Sequence, residues 1–174
     1  MNSETAARAP APPDGETVLA DLYREHWLAL VRLAVLLVGD REAAEDVVQD
    51  VFSRLHGKAS GVLTLSYVRV SVLNASRSVL RRRGVAATKA ASPGRANESV
   101  DSPETAALLG ESRQEMLTAL SRLPRRQREV LVLRYYLDLS DADIARATRI
   151  RQSTVRSTAA RALDRLEREL GGKA

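Results

Sequence analysis

With 174 residues, of which 44% are apolar and only 3% aromatic, the chain is long enough for one or two small domains with cores built mainly from Leu, Val and Ala. It has no Cys, which excludes disulfides, thiolate nucleophiles and Cys-ligated zinc, and no apolar run reaches the roughly 18–20 residues that cross a bilayer. The net charge of +5 favours a polyanionic partner, and the abundance of Leu, Ala and Arg with few Gly favours an all-α chain.

Residues 1–17 contain Pro10, Pro12, Pro13 and Gly15 among Ala and polar residues, and are expected to form a disordered tail with no secretory signal. Leu19, Leu22, Tyr23, Trp27, Leu30, Val31, Ala34 and Leu37 then recur at helical spacing, and Gly39 suits a left-handed C-cap. Asp40 is placed to cap a second helix whose apolar face is Ala44, Val47, Val48, Val51, Phe52 and Leu55. Its other face carries Glu42, Glu45, Asp46, Gln49 and Asp50. The helix macrodipole accounts for Glu42 and Glu45 but not for Asp50, which lies beyond the first turn.

From Gly57 to Arg95 the chain bears Lys58, Arg69, Arg77, Arg81, Arg82, Arg83, Lys89 and Arg95 and no acid. Within it, Val68, Val70 and Val72 alternate as in a strand, whereas Leu73, Asn74, Val79 and Leu80 fit a helix over residues 66–83, capped by Ser66 and ended by Gly84. The aperiodic stretch 85–110 reads as a flexible linker, with Ser102-Pro103-Glu104 suited to start a short helix through Leu109. Ser112 and Glu115 form a capping box before a helix with Met116, Leu117, Leu120 and Leu123 inward, stopped by Pro124. A further helix, 126–137, buries Val130, Leu131, Leu133 and Tyr136 or Leu137.

The final stretch reads as helix, tight turn and helix. Ser140 and Asp143 suit the start of the first of these helices, whose inward residues are Ile144, Ala145 and Thr148. The second helix carries Val155, Ala159, Ala162, Leu163, Leu166 and Leu170 inward. Its outward face then holds Gln152, Ser153, Thr154, Arg156, Ser157, Ala160, Arg161 and Arg165. Arg and Gln can make bidentate contacts to base edges, each good pair giving about 1–3 kcal/mol of discrimination. The plainer account of such a face is a solvated basic stripe, and the pairing of two short helices favours DNA.

Three blocks carry a resemblance: Asp40-Arg-Glu-Ala-Ala-Glu-Asp-Val-Val-Gln-Asp-Val-Phe52, the basic helix with Asn74 and the Arg81-Arg82-Arg83 triplet, and Leu123-Pro-Arg-Arg-Gln-Arg-Glu-Val through Leu166. In this order they resemble bacterial extracytoplasmic-function sigma factors of the sigma-70 family, of the actinobacterial type. The resemblance implies an all-α fold of two small helical domains joined by a flexible linker: a region 2-like bundle at 18–84, the linker at 85–110 and a region 4-like helix-turn-helix domain at 111–170. It implies a cytoplasmic initiation factor that is not an enzyme, needs no cofactor or metal, inserts in no membrane, and binds core RNA polymerase (β′ clamp helices and β subunit), promoter DNA and an anti-sigma factor. By the same resemblance Glu45, Asp46, Gln49 and Asp50 meet polymerase. Asn74, Arg77, Ser78, Arg81, Arg82 and Arg83, with the loop 56–66, engage the −10 element. The outward residues of the last helix read the −35 element. Three departures from the family pattern stand out: Arg149 occupies a turn position where Gly is common, Ser78 stands where many members have Asp or Asn, and a Trp common before the third helix is absent, leaving Tyr67 as the only aromatic in the basic stretch.

The rival reading is a stand-alone helix-turn-helix regulator, because 123–166 also resembles LuxR-type DNA-binding domains. It leaves the acidic face at Asp46 to Asp50 and the acid-free basic block without a purpose. An enzyme is disfavoured, since His26 and His56 are the only histidines and the usual nucleophile–base and metal-ligand sets are lacking. Tyr135 and Tyr136 are expected as packing residues.

Overall fold

The computed structural model describes residues 14–89 and 114–171, and among them every regular element is helical. The Asp14 carboxylate accepts a hydrogen bond from the Thr17 backbone N–H at 2.7 Å and starts α1 (Gly15–Val38) within the expected tail. That correction has a local cause: an Asp N-cap satisfies an orphan donor of the first turn. The rest of the expected tail lies outside the described residues. Gly39 ends α1 at φ +80°, donating its N–H to Val35 O at 2.8 Å. Asp40 opens α2 (Arg41–Leu55) by accepting from the Glu42 and Ala43 N–H groups.

A single 3-10 turn, Ser60–Val62, leads to α3 (Leu65–Lys89). Its first turn is capped by Thr64 Oγ1, which accepts from Tyr67 N–H at 3.1 Å, in place of the expected Ser66. Helical spacing resolves the ambiguous valines: Val68 and Val72 are fully buried and Val70 is exposed. The helix also passes through Gly84, so residues 85–89 are helical where a linker was expected. An internal Gly costs a helix only about 1 kcal/mol, too little to stop it without a terminating contact.

The second group of helices comprises α4 (Gln114–Ser121), α5 (Arg125–Leu131), α6 (Asp141–Thr148) and α7 (Gln152–Gly171). Leu117, Leu120 and Leu123 are buried as expected, but Met116 is 40% exposed. The helix expected over 126–137 is α5 running into a π turn, Val132–Tyr136, closed by the bond from Leu137 N–H to Val132 O at 3.2 Å. The expected caps at Ser102 and Ser112 and the short helix through Leu109 lie outside the described residues.

α1, α2 and α3 bury Leu30, Leu33, Val35, Val48, Val68, Val72 and Leu73 against one another, each such side chain contributing about 1.5–3 kcal/mol. Tyr23 stacks obliquely on Trp27 (4.7 Å between centroids) and meets Phe52 edge-on (5.1 Å). The same apolar cluster continues into Leu117, Val130, Leu133, Ile144 and Val155 of the second group, and Leu120, Leu123, Leu131 and Ala162 form a smaller one. Two polar contacts also join the groups: Arg77 to Glu129, and Tyr136 OH donating to Ala29 O at 3.1 Å. Among the described residues no helix is long and apolar enough to cross a membrane.

Candidate nucleic-acid interface

The helix pair α6–α7 is set by its caps. Ser140 Oγ accepts from the Asp143 N–H at 3.2 Å and donates to the Asp143 carboxylate at 2.6 Å, so the acid bonds chiefly the cap's hydroxyl. That hydrogen bond, with a smaller contribution from the nearby Arg146 charge, holds the Asp143 carboxyl below the usual carboxylate range. Arg149 ends α6 in the left-handed region at φ +56° and donates its N–H to the Ala145 carbonyl, the conformation its place in the turn demands. Buried Val155, Thr158, Ala159 and Ala162 fix the roll of α7. All eight candidate residues there, Gln152, Ser153, Thr154, Arg156, Ser157, Ala160, Arg161 and Arg165, are consequently exposed along one side of that helix. Arg161 Nε bonds the Ser157 carbonyl at 3.1 Å, and Arg156 Nε bonds Asp141 at 2.9 Å.

Of the other candidates, Asp46, Asp50, Asn74, Ser78 and Arg82 line two grooves between α2 and α3, each of about 300 Å³, whereas Glu45, Gln49, Arg77, Arg81 and Arg83 lie outside them. In the first, Asp46 and Asp50 of α2 face Ser78 and Arg82 of α3. Asp46, Gln49 and Asp50 are exposed, Asp50 being paired with Arg54 one turn on, which supplies the structural partner that helix position alone did not. Glu45 is half-buried and holds Arg41 Nε at 2.8 Å. Along α3, Asn74 Oδ1 accepts from Arg77 Nη1 at 3.0 Å and the Asn74 carbonyl accepts from Ser78 Oγ. Arg81 and Arg82 are exposed, whereas Arg83 is tied to the α2 cap, donating to Asp40 at 2.8 Å and to Val38 O. Arg77 reaches Glu129, whose side chain is only 5% exposed and also takes Arg126 at 3.3 Å.

The second groove takes in Lys58 of the expected 56–66 loop and adds residues that sequence reasoning did not single out as site residues, Tyr67, Ser71 and Arg54, the last shared with the first groove, beside Asn74 and Ser78. Their signal was present, because 67, 71, 74 and 78 form one stripe at helical spacing along α3. A further groove of about 500 Å³, almost wholly apolar, lies where Leu36 of α1 meets Met116, Leu120, Tyr135, Leu163 and Leu166. Tyr135 is 62% exposed there and Tyr136 39%, so neither is the interior packing residue expected. Arg128, buried where α3 meets α5 beside Arg77 and Glu129, has its pKa lowered by burial and by the neighbouring Arg125 charge. No group of His, Cys, Asp and Glu able to hold a metal ion occurs among the described residues.

The family model for sigma-70 region 4 matches residues 113–166, which span α4 to most of α7. The RNA polymerase sigma-E factor of Streptomyces antibioticus is 30% identical over 156 residues, covering 86% of this chain and 83% of the relative. The ECF RNA polymerase sigma factor SigL of Mycobacterium tuberculosis is 33% identical over 162 residues, covering 86% and 89%. In fold, the chain is similar to the sigma factor RpoE of Bartonella quintana, solved in complex with the anti-sigma factor NepR, with a TM-score of 0.61 and 24% identity over 88% of this chain and 99% of that one.

Proposed function

This chain belongs to the extracytoplasmic-function group of sigma-70-family RNA polymerase sigma factors, of the actinobacterial type, and on that premise we propose how its described faces share the work of transcription initiation. As a sigma factor it binds core RNA polymerase, recognises promoter DNA and promotes initiation. The single observation that carries this is likeness along most of the length: relatives named sigma factors match 86% of the chain, whereas a LuxR-type regulator accounts for the C-terminal helix pair alone.

Residues 18–84 act as the region 2-like unit and 111–170 as the region 4-like unit, in the cytoplasm where polymerase works. The exposed carboxylates Asp46 and Asp50, with Gln49 and Glu45, meet the β′ clamp helices. Asn74, Ser78, Arg81 and Arg82, joined by Tyr67, Ser71 and Lys58, engage the −10 element. The groove beside Tyr67 combines an aromatic ring with polar groups, a suitable lining for an unstacked base. Extracting such a base costs a few kcal/mol, which these contacts and the polymerase must offset. Arginines on this face hold phosphates and position the strand without reading it. The exposed row of α7 reads the −35 element from the major groove. An anti-sigma factor, the kind of protein bound to the Bartonella quintana neighbour, is the remaining partner, and the apolar groove around Tyr135 has the chemistry to seat an amphipathic helix.

The test is run-off transcription with purified core polymerase on a genomic fragment library. Discrete promoter-dependent transcripts that need both chain and core enzyme are expected. A chain that never co-elutes with core polymerase, yet protects a duplex site by itself, would establish the regulator reading instead.

A further inference from the structure

Asp141 is the first residue of α6, and its carboxylate sits between two arginines from different elements. One oxygen takes Arg134 of the π turn, and the other accepts Arg156 Nε at 2.9 Å. The Asp141 side chain is 20% exposed, while that of Arg156 is 68% exposed. The bond therefore anchors the base of the Arg156 guanidinium and leaves its outer edge in solvent. The two terminal nitrogens, Nη1 and Nη2, make no hydrogen bond to the described residues, and they form the flat fork that matches a base edge or a phosphate.

We propose that Asp141 is a positioning residue that presents the terminal fork of Arg156 to a base of the −35 element; this rests on the assignment of α7 as the reading helix. An exposed arginine samples many rotamers, and contact with DNA must select one of them. A carboxylate that already holds Nε removes most of that selection and fixes which pair of donors faces outward. Arg134 completes the arrangement. With a guanidinium on each oxygen, the cluster carries net positive charge and does not oppose the approach of phosphates, as a lone carboxylate would.

The test uses the full chain assembled with core polymerase, competed against promoter duplexes in which each −35 base pair is changed in turn. Arg156→Ala is expected to flatten the preference at one position. Asp141→Asn is expected to lower the preference at that same position by about tenfold, and to add nothing in the Arg156→Ala background. Arg134→Ala, which leaves the Asp141–Arg156 bond in place, is expected to keep that preference. Because Asp141→Asn could loosen the turn, the hydrogen-exchange protection of Arg156 Nε–H is measured in the free chain by NMR, and is expected to fall in Asp141→Asn but not in Arg134→Ala. An Asp141→Asn protein that keeps its full preference, or loses affinity equally at every position, overturns the positioning role alone. An Arg156→Ala protein with unaltered base preferences removes the reading-helix assignment and the proposal together.

Discussion

Arg149 stands where α6 must reverse into α7, holding a left-handed backbone at φ +56° without the freedom of a glycine. An L-residue there costs about 1–2 kcal/mol, partly offset by its smaller entropy in the unfolded chain. Arg149→Gly is therefore expected to stabilise the protein by about 0.5–1 kcal/mol, read as a higher midpoint in urea with an unchanged slope. At the opposite end of the same helix, the Ser140 cap has a measurable effect of its own. The Ser140 hydroxyl, and secondarily Arg146, holds the Asp143 carboxyl below its ordinary range. A carboxylate with a depressed native pKa contributes stability above its unfolded value and loses it as pH falls through the native one. The cap is thus expected to be intact at about pH 5 and to fail only in stronger acid, below the ordinary carboxylate range. In Asp143→Asn this part of the acid dependence of the melting temperature should vanish, and an acid limb identical to that of the parent would show that Asp143 has no share in it.

At the scale of single helices, α2 shows how an element divides between core and partner. Val47, Val48, Val51 and Phe52 are buried, while Asp46 and Asp50 project from the other side, one of them held only by the exposed Arg54. Exposed ion pairs contribute about 0–1 kcal/mol, so reversing both acids to Lys is expected to leave the circular-dichroism melt nearly unchanged while abolishing co-elution with core polymerase. Retained co-elution would reject that face as the contact. Elements of this kind were legible before any coordinates, because a cap and a 3.6-residue apolar stripe determine start, register and roll; the exposed row on α7 and the burial of Val155 and Ala159 follow from the stripe alone. Other features had no such signature. A π turn is a slip of one hydrogen bond, and nothing in Val132–Tyr136 announces it, which is why Tyr136 emerges at the surface. Gly84 resembles a stop, yet its cost of about 1 kcal/mol does not outweigh the helical turns on either side, and α3 runs through it to Lys89. Met116 fits the apolar stripe of α4 yet faces a groove that forms only when α1 and α7 are in place.

The molecule as a whole holds a candidate DNA contact against its other half. Arg77 belongs by spacing to the basic stripe of α3, and no local rule could have shown that Glu129, 52 residues away, takes its Nε. The same holds for Arg83, whose carboxylate partner Asp40 lies across the bundle and makes that arginine a brace for the α2 cap. Glu129 is buried with Arg77 and Arg126 as its partners, and Leu37, Leu73 and Leu80 line the pair where α3 meets α5, together with Ser76, Arg125 and Arg128. With Nε on Glu129, Nη1 on Asn74 and Nη2 buried without a hydrogen-bond partner, Arg77 presents no outward donor here, so its engagement of DNA requires the two helical groups to part at this point. The roles of the two residues are separable by substitution. Removing either side of a buried charged hydrogen bond costs about 1.5–3 kcal/mol, so Arg77→Ala and Glu129→Gln are both expected to lower the stability of the free chain by about that amount. They should diverge in run-off transcription. Arg77→Ala loses output because the DNA contact is gone, whereas Glu129→Gln keeps it because the arginine is released for that contact. Equal loss of transcription in the two variants would mean that the pair serves only to hold the halves together, and that the arginine's place on the basic stripe carries no contact to the promoter.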